Sequence, residues 1–182
     1  CVASRLQVRS CHWRLAQGPA RSGAIGVRVG TFDDLAHACL EAGGRTCCAL
    51  DDAVEQRLIR AVLLETPLPY YGQLHAAPGL VRALRRLFAE LAATGAPAET
   101  LEQALEASPE GPRLTELAGI HRAYRGYLRL LGSTDRAGLI PLACEAVTEE
   151  PRTAFSAWSL LVVDGFDALS PAQCAFLSAL SA

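Results

Sequence analysis

The chain contains no methionine, no lysine and no asparagine. Without lysine, a phosphate-binding loop of the G-x-x-x-x-G-K-S/T type is impossible within these residues, because that loop places a lysine ammonium on the nucleotide phosphates. All 17 basic residues are arginine. Without methionine, the translation start is expected to lie upstream. The apolar helical pattern still running in "FLSALSA" at the other end fits an internal fragment of a longer protein. No apolar run approaches the roughly 18 residues of a membrane span. No basic segment precedes an apolar one in the manner of a signal peptide, so the cytoplasm is the expected location and no membrane partner is expected. The seven cysteines (Cys1, Cys11, Cys39, Cys47, Cys48, Cys144 and Cys174) include no C-x-x-C pair. No histidine pair accompanies them at ligand spacing, which argues against zinc and for reduced thiols. His12, His37, His75 and His121 are isolated, with no Ser-His-Asp or Cys-His arrangement around them.

What is present is a globular composition. The chain has 182 residues, 51% hydrophobic and 20% charged, which suits one domain or one lobe carrying an insertion. Its formal net charge of -2 creates no general demand for a polyanion, so any contact with DNA must be local.

Periodicity places the elements. Residues 4–17 read as a helix with Ser4 as N-cap, and "GPARSG" breaks it. Ile25, Val27 and Val29 alternate, which predicts a short strand at 25–30. "FDDLAHACLEAGG" reads as a helix with Leu35, Cys39 and Leu40 on one face. The acidic pairs at 33–34 and 51–52 read as helix caps, and a helix capped by Asp51 or Asp52 runs to about Glu65. Leu80, Leu84, Leu87, Phe88 and Leu91 mark an amphipathic helix. A shorter one follows between prolines. Leu117, Ile120, Tyr124, Tyr127, Leu128 and Leu131 mark another, and the next is expected to start at Thr134 or Asp135. "WSLLVVD" reads as a buried strand at 159–164, too apolar for an exposed sheet face. Ser170 and Pro171 then open the last helix as N-cap and first residue. Two strands separated by a long helical stretch suggest a mostly helical α/β core with a large insertion.

Three groups of residues carry possible chemistry. Asp164 ends an apolar strand, where a carboxylate can hold Mg²⁺ because that hard cation prefers oxygen ligands. The bland alternative is a strand that stops there. Thr31 and Phe32 follow the first strand, where a hydroxyl and an aromatic ring can meet a phosphate and a base. The alternative is a core phenylalanine under the strand-to-helix turn. Arg82, Arg85 and Arg86 form one basic group. Arg122, Arg125 and Arg129 form another, interleaved with Tyr124 and Tyr127. Such stripes can line a DNA track, or be solvated faces whose arginine stems cover apolar surface.

"DGFDALSPAQ" resembles the second motif of UvrD-type superfamily 1 DNA helicases, written D-E-F-Q-D-x-x-x-x-Q. Asp164, Phe166, Pro171 and Gln173 stand at matching positions. Gly165 stands where that family has its catalytic glutamate, and Asp167 where it has glutamine. "VRVGTFDDLAHACLEAGG" resembles a further helicase motif, V-G-T-F-H-x-L-A-x-x-x-L-R, with Asp33 in place of histidine. "SRLQVRS" lies where the preceding DNA-contacting motif would be. D-G-F and T-F-D together look more like the helicase-like half of AddB-type subunits of bacterial helicase–nucleases, which carry a PD-(D/E)XK nuclease domain further on. The resemblance covers residues 4–182.

It implies a fragment of a RecA-like P-loop helicase domain with parallel strands. Residues 1–50 and 151–182 would belong to its core and 51–150 to a helical insertion subdomain. It implies Mg²⁺ at Asp164 and nucleotide association for Asp167 and Gln173. ATP and Mg²⁺ would bind only with residues upstream of this chain, and no catalytic residue remains here because Gly165 replaces the glutamate. It implies DNA contact, with a single strand or a duplex end, for Thr31, Phe32, Arg5, Arg122 and Arg125, and a helicase–nuclease partner subunit. The expected function is a DNA-binding scaffold region in double-strand-break repair with little ATP hydrolysis of its own. An active UvrD-like helicase and a non-catalytic helical interaction module are the competing readings.

Overall fold

The computed structural model of the chain describes residues 1–17, 26–74, 77–108, 111–149 and 158–181. The expected break at "GPARSG", Ile25 and His75 lie outside those residues. In chain order the elements are α1 (Arg5–Ala16), α2 (Phe32–Ala42), β1 (Cys48–Ala49), α3 (Asp52–Glu65), α4 (Pro78–Ala93), α5 (Ala98–Glu106), α6 (Pro112–Leu130), β2 (Ser133–Thr134), α7 (Leu139–Glu149) and α8 (Pro171–Ser181). The protein is mostly helical, with one small parallel two-stranded sheet among the described residues. None of its described helices is long and apolar enough to cross a membrane. The chain divides into two compact units, residues 1–46 together with 142–182, and residues 47–141.

The first unit is built on capped helices. Ser4 caps α1 by accepting the Gln7 amide, and Thr31 caps α2 in a reciprocal box with Asp34. The apolar face of α2 supplies Phe32, Leu35, Ala36, Cys39 and Leu40 to a core that also takes Val2, Ala172 and Phe176. Burial pushes the Cys39 thiol up to about 12, so it is an inert apolar filler.

Neither expected core strand forms as a regular strand. Between residues 26 and 31 no ladder forms among the described residues, and Val27 is exposed. At the second site one parallel bridge forms among the described residues, Val2 with Asp164. The Asp164 amide donates to the Cys1 carbonyl at 3.0 Å, and the Val2 amide donates to the Gly30 carbonyl at 2.9 Å. Leu160 is 78% and Val162 58% exposed, so "LLVV" is not the buried strand its composition suggests. The physical reason is the neighbour count. A parallel strand is buried only when partners flank it and layers cover both faces, and the described residues supply just Cys1 and Val2 beside it.

The second unit is helical. α3, α4 and α6 pack Ile59, Val62, Leu63, Val81, Leu84, Phe88, Ile120, Tyr124 and Leu128 into one core. Leu80, Leu87, Leu91, Leu117 and Tyr127 lie half-buried around it, as the periodicity of α4 and α6 predicts. Leu131 does not join them: α6 ends at Leu130, the helical repeat stops, and Leu131 stays exposed. Asp51 caps α3 by accepting the Ala53 and Val54 amides. β1 and β2 pair Cys48 with Ser133 and Ala49 with Thr134.

The segment expected to begin a helix at Thr134 or Asp135 does not. Thr134 belongs to β2, and α7 starts at Leu139. Asp135 is drawn instead into the interior, where Oδ1 accepts the Gly138 amide at 2.6 Å and Oδ2 accepts the Tyr124 hydroxyl at 2.9 Å. A side chain on residue 138 would begin 2.6 Å from the Thr134 hydroxyl, so glycine is what lets this turn close.

Candidate functional site

The two motif-bearing segments meet in the first unit. Phe32 at the start of α2 is buried, and its ring packs edge-on against Phe166 with centroids 5.1 Å apart and planes at 70°. The aromatic residue of each motif is therefore the other's packing partner. Phe32 presents no free face for a base to stack on.

Thr31 is equally engaged. Its hydroxyl donates to Asp34 Oδ2 at 2.9 Å and its amide donates to the same oxygen at 2.8 Å. Burial alone would raise the Asp34 carboxyl, but the Thr31 hydrogen bonds and the nearby Arg5 guanidinium outweigh it and hold the group below its ordinary value. Arg5 Nη2 lies 2.9 Å from Asp34 Oδ1. Asp34 is thus a hub that joins α1 to the cap of α2, and the "DD" cap signal in the sequence pointed to it. Replacing Thr31 with alanine is expected to lower stability by about 1 kcal/mol through loss of the cap; a shifted urea midpoint at unchanged slope would show it.

Asp164 stands at the tip of its bridge with an exposed side chain. It lines the rim of a cavity of about 890 Å³, together with Cys1, Arg14, Arg28, Asp34 and Trp158. Among the described residues no group of three His, Cys, Asp or Glu side chains could hold a metal ion. A lone exposed carboxylate fits Mg²⁺ only where phosphate oxygens and water complete the shell, which is the usual way that ion is held.

Gly165 decides what can happen beside it. Its φ of +77° lies in the left-handed region. A Cβ built there would sit 2.8 Å from the Gln7 amide nitrogen. The position that would carry a water-orienting carboxylate is thus a glycine turn with a neighbouring amide packed against it. Sequence reasoning had no signal for Gln7, which reaches Gly165 from α1.

Asp167 is exposed on the same loop. Gln173 is used structurally: its Oε1 accepts the Ser170 amide at 2.8 Å, and Ser170 Oγ accepts the Gln173 amide at 3.2 Å. This S-x-x-Q capping box opens α8 where Ser170 and Pro171 predict it.

Three of the six arginines in the two groups of the second unit, Arg85, Arg86 and Arg122, are paired with carboxylates. Arg85 pairs with Asp52 and with buried Glu55 at 2.7 Å, and Arg86 with Glu90 at 2.8 Å. Arg122 pairs with Glu102 at 2.9 Å and Glu106 at 2.7 Å. Arg125 is half-buried. Tyr124 is wholly buried and Tyr127 donates to Glu65, so the tyrosines between these arginines serve packing and pairing. Arg85, Arg86 and Arg122 thus behave as paired cations. His121 is a buried packing residue, with Nδ1 3.1 Å from Glu102 Oε1. Burial holds its pKa below the ordinary value even against the pull of that carboxylate. Glu90 sits one turn from Arg86 on α4, whereas the acids that pair Arg85 and Arg122 (Asp52, Glu55, Glu102 and Glu106) lie on other helices, so no local motif announced those.

Two comparisons with known proteins complete the description. The family model "ADDB, N-terminal" matches residues 10–182. No curated protein matches the chain.

Proposed function

The chain belongs to the AddB N-terminal family, and on that premise we propose that it is the helicase-like, DNA-holding region of an AddB-type subunit of an ATP-dependent helicase–nuclease acting in double-strand-break repair, with little or no ATP hydrolysis of its own. In this reading residues 1–50 and 151–182 are part of a RecA-like core, and 51–150 form a helical insertion. The region helps to hold and guide DNA and contacts the partner motor subunit. Asp164 would hold Mg²⁺ that arrives with nucleotide phosphates, if a phosphate loop supplies them from outside these residues.

The observation that carries the proposal is Gly165. ATP hydrolysis needs a group that orients or activates the attacking water. Glycine offers none, and at its left-handed φ any replacement side chain is strained. Asp167 lies two residues on and is exposed on the same loop.

The test is ATP turnover by the intact subunit purified without its motor partner. Turnover is expected at background, and Asp164→Ala is expected to leave it there. Measurable turnover that Asp164→Ala abolishes, with circular dichroism unchanged, would sink the proposal and favour an active helicase.

A further inference from the structure

Helix α5 is held to the helical unit in a way that its neighbours are not. α3, α4 and α6 each give three side chains to the buried core. No residue of α5 belongs to that core or to the half-buried side chains around it. The residue of α5 that is buried is a charged one, Glu102. Its Oε1 lies 3.1 Å from His121 Nδ1, and its Oε2 accepts from Arg122 Nε at 2.9 Å. Glu106, one turn on, accepts from Arg122 Nη2 at 2.7 Å. The apolar side of α5, Ala98, Leu101 and Leu105, stays half-buried. α5 has nine residues and no side-chain cap at its start, and a helix that short is marginal without tertiary support. Glycines in the left-handed region stand on either side of it, Gly95 at φ +69° and Gly111 at φ +73°.

We propose that α5 is a releasable strap: Glu102 latches it to α6, and proton uptake by His121 opens it while α3, α4 and α6 stay folded. With α5 in place the His121 ring is buried, with Glu102 at its Nδ1 and the Phe88 ring of α4 edge-on at 5.1 Å. The charges that act on it are Glu102 from α5, Arg125 from α6 and Asp135 from the turn after β2, and Arg122 with Glu106 closes the solvent side of the latch. Burial disfavours the imidazolium and Arg125 adds to that. The two carboxylates oppose them without prevailing, so the docked ring resists protonation. Once α5 leaves, the ring is solvated and returns to the ordinary histidine range, near about 6.5. Opening therefore binds a proton. The strap is fully held above that range and loosens as pH falls through it toward the docked ring's own lower value. A clasp of apolar side chains would hold α5 equally at every pH.

The strap is independent of the DNA-holding reading above. Hydrogen exchange of the full chain, read by mass spectrometry as protection factors so that the intrinsic effect of pH cancels, tests it. The amides of α5 are expected to be less protected than those of α3, α4 and α6, the mark of a local opening. Between about pH 7.5 and about pH 5.5, α5 should lose about three- to tenfold of its protection while α3 and α4 hold theirs. Glu102→Gln is expected to lower α5 protection by about tenfold at the higher pH, again with α3 and α4 unmoved. Glu102→Leu combined with His121→Phe puts an apolar pair in place of the latch, and should keep α5 protected and abolish its pH response. Protection of α5 equal to that of α3 and α4 in every condition overturns the strap, because α5 then opens only with the whole unit. A pH response that survives undiminished in the double variant overturns the part given to His121.

Discussion

Replacing Tyr124 with alanine should destabilise the helical unit by about 3–5 kcal/mol, the range for removing a large buried aromatic side chain. Tyr124 has no exposed surface, and its ring stacks on Phe88 at 5.0 Å and 26°. Phe88 in turn meets the His121 ring edge-on at 5.1 Å. Truncation therefore opens a cavity at the point where α4 and α6 share aromatic contacts, and helices held at both ends cannot collapse into it. A second cost comes from the hydroxyl. It donates to buried Asp135, whose other oxygen holds the Gly138 amide. Burial, together with the Asp135 charge, pushes the phenol pKa far up, so the group stays a neutral donor at any physiological pH. Tyr124→Phe isolates this part and should cost about 1–3 kcal/mol, the penalty for a buried acceptor left without its donor. Denaturant unfolding of both variants checks the division. A loss under about 1 kcal/mol for Tyr124→Ala would contradict the packing described, since that is near the average for an arbitrary substitution.

Gly165→Glu should not create an ATPase, and it should cost stability of about 2 kcal/mol. At φ +77° any residue with a Cβ is strained, by about 1–3 kcal/mol for an ordinary side chain. The Gln7 amide must also move from a place 2.8 Å from the new Cβ. That part is cheaper, because the amide is the far end of a flexible side chain. The carboxylate that results leaves a turn of the wrong hand, so its direction is not that of a strand-tip glutamate aimed at water. Gly165→Ala provides the control: it should show most of the stability loss with no carboxylate at all. A Gly165→Glu protein that turns over ATP above background would show that the missing side chain alone, and not the turn, sets the activity.

The helix caps were legible because capping is a local interaction. Thr31 with Asp34, Asp51 with the start of α3, and Ser170 with Gln173 each close within three residues, inside the window a sequence pattern covers. The apolar faces of α2, α4 and α6 were legible for a similar reason: they follow a fixed helical period. The strands were not. "LLVV" has the composition of a buried strand, but a strand exists only through partners distant in sequence, and among the described residues those amount to one bridge. The expected helix start at Asp135 failed because a tertiary demand overrode a local one. That carboxylate serves Tyr124 and Gly138 instead of capping a helix. At the candidate site, Asp164, Gly165 and Phe166 could be picked out by residue type and order. What could not be foreseen was that Phe166 would pack on Phe32, or that Gln7 would lie against Gly165. The arginine stripes show the same limit. Their cations are visible in sequence order, while Glu55, Glu102 and Glu106, which neutralise them, come from other helices.

The Gly165 turn also has an evolutionary consequence. A lineage carrying it faces a ratchet. A single codon change to glutamate meets a backbone of the wrong hand and an amide already occupying the space, so the intermediate is less stable and gains no activity in return. Recovery would require the turn itself to be rebuilt, with Gln7 giving way as its flexible side chain allows, and a change of backbone is not rewarded halfway. The opposite drift, in which the site is put to use for holding rather than for hydrolysis, meets no such barrier.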